Sequence, residues 1–91
     1  MKQLYVALER GLRELLGNLG HQLTDGEILE IEQFIDVAEY GIALETLCWI
    51  LTEHGGAHDI MVHDQIAALA NLMELKSKPI RTLLEPGPNG S

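Results

Sequence analysis

Positive charge is missing from most of this chain. No Lys or Arg occurs between Glu14 and Leu75, whereas that stretch carries twelve Asp and Glu residues, and the net charge of the whole chain is -8. Proteins that bind the phosphate backbone need clustered cations, and an anionic membrane surface repels a chain of this kind. We therefore expect no nucleic-acid and no membrane partner. A basic protein would be attracted by the negative field, although the charge can also serve solubility alone.

Cysteine and long apolar runs are also scarce. Cys48 is the single cysteine, which excludes an internal disulfide and agrees with a reducing compartment. No apolar run approaches the ~20 residues that a membrane span requires, and the first residues lack the charged and then apolar pattern of a signal peptide. We expect a cytoplasmic protein.

The chain has no alternating apolar pattern long enough for a strand, and its apolar residues recur at helical spacing instead. We predict an all-α fold with one domain over residues 1–84 and a disordered tail over residues 85–91, which is rich in Pro and Gly. The predicted fold is a small bundle of four helices, over about residues 2–16, 25–37, 40–54 and 60–75, with a short helical turn over 79–84.

Local signals support these boundaries. Leu4, Tyr5, Leu8, Leu12 and Leu15 lie on one side of the first helix, which we expect Gly and Asn residues at 17–20 to end. Thr24-Asp25-Gly26-Glu27 has the form of a capping box at the start of the second helix.

The central stretch, residues 39–55, is the most apolar part of the chain. At about 100° per residue, Tyr40, Leu44, Leu47, Leu51 and His54 share one side, which we predict to hold the bundle together. The other side combines apolar and acidic residues: Ile42, Glu45, Thr46, Trp49, Thr52 and Glu53.

Patterns typical of catalysis are weak or missing. Cys48 lies within the apolar stretch with no cation near it in sequence, so we interpret it as a buried structural residue rather than a nucleophile. His54, His58 and His63 could form a metal site, but their spacing is loose and no Cys completes a tetrahedral zinc set. The glycines match no nucleotide-binding motif. We predict a protein that is not an enzyme and has no cofactor; a metal-binding enzyme using the three histidines is the minor alternative.

An interaction surface remains the main functional candidate. A tryptophan among acids resembles the aromatic anchors that dominate binding energy at interfaces. The candidate binding residues lie on the outer sides of the second and third helices: Asp25, Leu29, Glu32, Asp36, Glu45, Trp49 and Glu53. The competing interpretation is that Trp49 and Ile42 simply pack under the first helix or the 80–84 turn.

The run Glu39-Tyr40-Gly41-Ile42-Ala43-Leu44-Glu45, together with Phe34-Ile35-Asp36 before it and an apolar last helix, resembles the MafI family of bacterial immunity proteins. The resemblance covers about residues 4–75. It implies a small helical inhibitor that binds the catalytic domain of a cognate toxin delivered by cell contact, most simply a basic nuclease. Similar proteins usually carry a polar or acidic residue at the position of Trp49, which implies that this chain makes partner contacts of its own.

The sequence therefore leads to one main prediction about function and one alternative. The first is an immunity protein, a monomer or weak homodimer, that neutralises its toxin through an acidic helical surface. The second is a homo-oligomeric helical scaffold or regulatory module whose Trp49 side is a self-interface.

Overall fold

The computed structural model describes residues 2–57 and 59–85, and helices are the only regular secondary structure over those ranges. The five helices are Lys2–Asn18 (α1), Asp25–Asp36 (α2), Tyr40–Glu53 (α3), Ile60–Leu72 (α4) and Lys78–Leu84 (α5). The predicted all-α class is confirmed, and the predicted helical turn near the end is a fifth helix of seven residues with Pro79 in its first turn. The predicted tail, apart from Glu85, lies outside the described residues, as does His58.

The first helix buries a leucine stripe and leaves its beginning exposed. Its buried side chains are Leu8, Leu12, Leu15 and Leu16, followed directly by Leu19. Leu4 and Tyr5 were expected on the buried side but are exposed, and the Tyr5 ring lies against Tyr40 with 6.1 Å between ring centroids. The helix runs two residues further than predicted because the Leu19 amide still donates to the carbonyls of Leu15 and Leu16.

The predicted capping box at the start of α2 is confirmed. The Thr24 hydroxyl accepts from the Glu27 amide at 3.1 Å, and the Glu27 carboxylate accepts from the Thr24 amide at 2.9 Å. Two of the amide groups that would otherwise lack partners at the helix start are thereby satisfied. These bonds fix where α2 begins and hence which of its residues face inward, namely Ile31 and Ile35.

Three helices end in the same left-handed turn. After α2, α3 and α4 the residue beyond the C-cap has a positive φ: 61° at Ala38, 100° at Gly55 and 52° at Glu74. In each case the next amide bonds back to a carbonyl five residues earlier: Glu39 to Phe34, Gly56 to Leu51 and Leu75 to Ala70. This is the Schellman arrangement, which normally places glycine at the left-handed position. Only the turn after α3 has glycine there.

The first and fourth helices run antiparallel. The Asn18 side chain at the end of α1 bonds Gln65 in the first half of α4, whereas Gly11, earlier in α1, lies opposite Leu69, later in α4. A Cβ on Gly11 would meet the Leu69 side chain at 2.8 Å, so the absence of a side chain brings α1 and α4 close together. At its start α4 is capped by the Asp59 carboxylate, which accepts from the Met61 amide at 2.8 Å.

The third helix is the centre of the bundle and contacts all four others. Seven of its fourteen residues are buried: Tyr40, Ala43, Leu44, Leu47, Cys48, Ile50 and Leu51. The predicted packing side is confirmed except for His54, which follows the helix as its C-cap and is exposed. Among the described residues, no helix combines the length and apolarity needed to cross a bilayer.

Candidate interaction surface

One narrow strip of α3 remains uncovered by the other helices. We define the α3 outer strip as Ile42, Glu45, Trp49 and Glu53. Ile42, Trp49 and Glu53 are exposed and Glu45 is half-buried, and 49% of the tryptophan surface is accessible. The interpretation in which Ile42 and Trp49 pack beneath a neighbouring helix is therefore wrong.

Two neighbouring helices contact α3 near this strip or beyond its end. Toward α5, Gly41 approaches Leu75 and Thr52 borders a shallow groove with Thr82. At the end of α3, the His54 ring nitrogen lies 3.2 Å from the Glu27 carboxylate of α2. The strip itself faces solvent, because Ile42, Trp49 and Glu53 are exposed.

Within residues 2–57 and 59–85, no cation lies within ion-pair distance of the acids of the strip. Two ion pairs occur among the described residues, namely Arg13 with Glu9 and Arg13 with Asp36, and two further pairs, His54 with Glu27 and His63 with Asp64, are ion pairs when the imidazole is protonated. Neither Glu45 nor Glu53 takes part in any of them. Their charges are therefore available to an external partner.

The acidic stripe of α2 faces another direction. Asp25, Leu29, Glu32 and Asp36 share one side of that helix at 100° per residue, and Leu29 is 56% exposed. This side borders α1, because Arg13 donates to the Asp36 carboxylate at 2.9 Å and lines a groove of about 310 Å³ together with Glu32.

Arg13 also bonds Glu9 at 3.1 Å, and its hydrogen bonds to Asp36 and Glu9 raise the pKa of its guanidinium above the ordinary value. Asp36 is thus partly neutralised within the chain. The seven candidate binding residues form two separate stripes, one on α3 and one on the side of α2 that borders α1.

The opposite side of α2 faces α3. Glu27, Glu30 and Phe34 lie roughly 140° or more around the helix from Asp25, and the Glu27 carboxylate contacts His54 at the end of α3. Phe34 packs against the core and is partly buried. The pattern of α2 alone could not reveal the contact of Glu27 with α3, because the rotation of a helix about its own axis is decided by its partners.

A second apolar pair was also missed. Ile60 and Met61, at the start of α4, are 72% and 65% exposed. The only sequence signal for this exposure is their position directly after the Asp59 cap, ahead of the Val62 and Ile66 positions that enter the core.

The histidines of the proposed metal site make other contacts. His54 contacts Glu27, and His63 donates through Nε2 to the Leu84 carbonyl at 3.1 Å, which ties α4 to α5. His58 lies outside the described residues. Within residues 2–57 and 59–85, no group of three or more His, Cys, Asp or Glu side chains is placed to hold a metal ion.

The thiol of Cys48 is part of the core. The residue is fully buried, as predicted, and burial, with a smaller contribution from the nearby charge of Glu45, raises the pKa of the thiol to about 12. A protonated and inaccessible thiol is a poor nucleophile. Its location supports a packing role.

Comparisons with protein families, with curated proteins and with solved structures found no match to this chain.

Proposed function

We propose that this chain is an immunity protein that binds and neutralises the catalytic domain of a cognate toxin, and that the toxin has a basic substrate groove, as a nuclease does. The observation that carries the proposal is the half-exposed Trp49 between two acids that have no cation partner among the described residues. The resemblance of residues 39–45 to immunity proteins supplies the biological role.

The surface combines two contributions to binding. Large aromatic side chains in the centre of an interface supply much of the affinity. Acidic side chains around them attract a basic surface, raise the association rate and oppose wrong partners of the same charge. A basic catalytic groove suits both contributions. Its cations attract the acidic side chains, and an apolar ring that enters the groove displaces water from it.

The α3 outer strip is the centre of the proposed interface. The stripe of Asp25, Leu29, Glu32 and Asp36 is placed at its periphery, because it faces α1 and Asp36 already has an intramolecular cation. Exposed periphery charges mainly affect the association rate, whereas a desolvated centre determines the lifetime of a complex.

Charge reversal in matched pairs tests the proposal. Glu45→Lys with Glu53→Lys changes the net charge by four at the α3 outer strip. Glu14→Lys with Asp64→Lys makes the same change on exposed positions of α1 and α4 that point away from α3. All variants keep the core residues, so each is expected to retain the helical circular dichroism of the parent.

The readouts are growth of bacteria that produce the proposed cognate toxin domain, and association of the two purified proteins at low and high salt. We expect the α3 pair to abolish protection and to slow association at least tenfold. The α1 and α4 pair should retain protection. Absence of protection by the parent contradicts the immunity role, and equal protection by the two double variants contradicts the α3 outer strip as the centre of the interface. A stable dimer of the isolated protein that is lost only in the α3 pair favours the self-interface instead.

A further inference from the structure

Glu45, Trp49 and Glu53 follow one another at intervals of four residues along the uncovered side of α3. With a rise of about 1.5 Å per residue, each acidic position lies roughly 6 Å along the axis from the tryptophan. Side chains four apart lean over the same part of the helix surface. The indole is therefore bracketed by two carboxylates along one line.

The chemistry of this arrangement favours a particular kind of ligand. The face of an indole ring attracts cations more strongly than other aromatic rings do. The two carboxylates, which form no ion pair among the described residues, can accept hydrogen bonds from the same cation. An anionic or purely apolar group gains no favourable contact with the carboxylates, and its binding would remove water from them without replacing the lost hydrogen bonds.

Between the two basic side chains, arginine fits this site better than lysine. Its guanidinium is planar, stacks on aromatic rings, is weakly hydrated and offers five donors in a fixed fork. Lysine carries a compact and strongly hydrated charge that cannot stack and also reach two carboxylates. An acidic surface without the ring would distinguish the two cations much less.

We propose that Glu45, Trp49 and Glu53 form a receptor for an arginine side chain of the protein partner, with the guanidinium stacked on the indole and bonded to the flanking carboxylates. This inference rests on the proposed function, because it names the group on the toxin that the α3 outer strip recognises. It also predicts that one arginine in the partner's groove makes a disproportionate contribution to binding.

The receptor can be tested without the partner. The probes are hexaarginine and hexalysine peptides carrying a fluorescent label, whose binding to the full chain is followed by anisotropy. Trp49 is the only tryptophan, so its emission reports contact at this one site. We expect hexaarginine to bind several-fold more tightly than hexalysine and to change the Trp49 emission.

Three variants locate the binding. Trp49→Leu keeps an apolar side chain and should reduce the preference for arginine over lysine to less than twofold. Glu45→Gln with Glu53→Gln should weaken hexaarginine binding about tenfold, since two charge-assisted bonds are lost. Glu14→Gln with Asp64→Asn removes the same charge from the opposite side of the bundle and should weaken binding less than threefold. Circular dichroism verifies that each variant is folded.

Equal affinity for the two peptides, an unchanged Trp49 emission, or equal weakening by the two charge-removing pairs would overturn the receptor. These results are separable from the failure of the proposed function. Arginine selectivity at Trp49 without protection against a toxin leaves the receptor standing and removes the immunity role. Protection that survives Trp49→Leu and the Glu45 and Glu53 changes leaves the immunity role and removes the receptor.

Discussion

Replacing Ala38 by glycine should stabilise the protein, although glycine usually destabilises. Ala38 has φ of 61° in the turn that ends α2, and an L-residue in the left-handed region costs about 1–2 kcal/mol. Glycine removes this strain but adds about 0.4–1 kcal/mol of conformational freedom to the unfolded chain. The expected net gain in the free energy of unfolding is about 0.5–1 kcal/mol.

The matched control is Ala68→Gly. Ala68 is exposed, as Ala38 is, but lies in the interior of α4, where glycine costs about 1 kcal/mol relative to alanine. The same chemical change is therefore expected to have opposite signs at the two positions, with a difference of about 1.5–2 kcal/mol. For a domain of this size each kcal/mol corresponds to about 4–8 °C in Tm.

Urea unfolding followed by both Trp49 fluorescence and far-UV circular dichroism measures this difference. Coincident transitions support two-state behaviour, and a shift of the midpoint at constant slope reports stability without a change in the compactness of the unfolded or native state. If Ala38→Gly lowers the free energy of unfolding as much as Ala68→Gly does, Ala38 is not left-handed in solution and the Schellman turn after α2 is refuted.

Two further predictions concern titratable groups. The hydrogen bond from the Thr24 amide, aided by His54, lowers the pKa of the Glu27 carboxyl below its ordinary value of 4.5. The ionised carboxylate therefore stabilises the fold fully above pH 4.5. This stabilisation is lost as the pH falls through the lowered pKa. The parent should accordingly be more stable than Glu27→Gln at neutral pH and equal to it in strong acid, as urea titrations across the range will show; a difference that does not change with pH contradicts this cause. For Cys48, the rise in pKa from 9.0 to about 12 makes thiolate roughly a thousandfold scarcer at neutral pH, and burial adds a steric barrier. Labelling by an aromatic disulfide reagent should therefore occur only through opening of the core and should slow in Ala38→Gly, whereas labelling at the rate of an unfolded control peptide would show that the thiol is accessible.

Local patterns predicted the elements of this fold well because their causes are local. The bonds between Thr24 and Glu27 depend on residues three apart, and the leucine stripe of α1 depends on helical spacing alone. The start of α1 was harder to predict. Leu4 continues the stripe by spacing, yet no helix covers it fully, because the length of a neighbour is not encoded in α1 itself.

The left-handed turns were less visible than the helices they end. Gly55 is a typical residue for such a turn, whereas Ala38 and Glu74 are not. The back-bonds from Glu39 and Leu75 stabilise those turns enough to tolerate the strained residue. Propensity at a single position could not reveal this compensation.

The candidate site shows the same limit at the tertiary level. Spacing placed Glu45, Trp49 and Glu53 together correctly, since they belong to one helix. Helical spacing could not show that the α2 stripe of Asp25, Leu29, Glu32 and Asp36 faces α1 and is separate from the α3 outer strip. The direction of the α2 stripe depends on the rotation of α2 about its axis, which places Glu27 against His54 and Asp36 against Arg13.

The cationic partner that we propose would account for both the acidity of the chain and the exposure of Trp49. Twelve acids without an interspersed Lys or Arg repel one another in the folded state and oppose its stability. Solubility accounts for a net negative charge, but it does not account for a large indole left in water at the centre of that charge. A cationic partner relieves the repulsion and covers the ring in a single step. Binding should therefore stabilise the fold most strongly when the partner's positive charge is at Trp49, and a partner that contacts only the Arg13 side should leave the α3 repulsion in place.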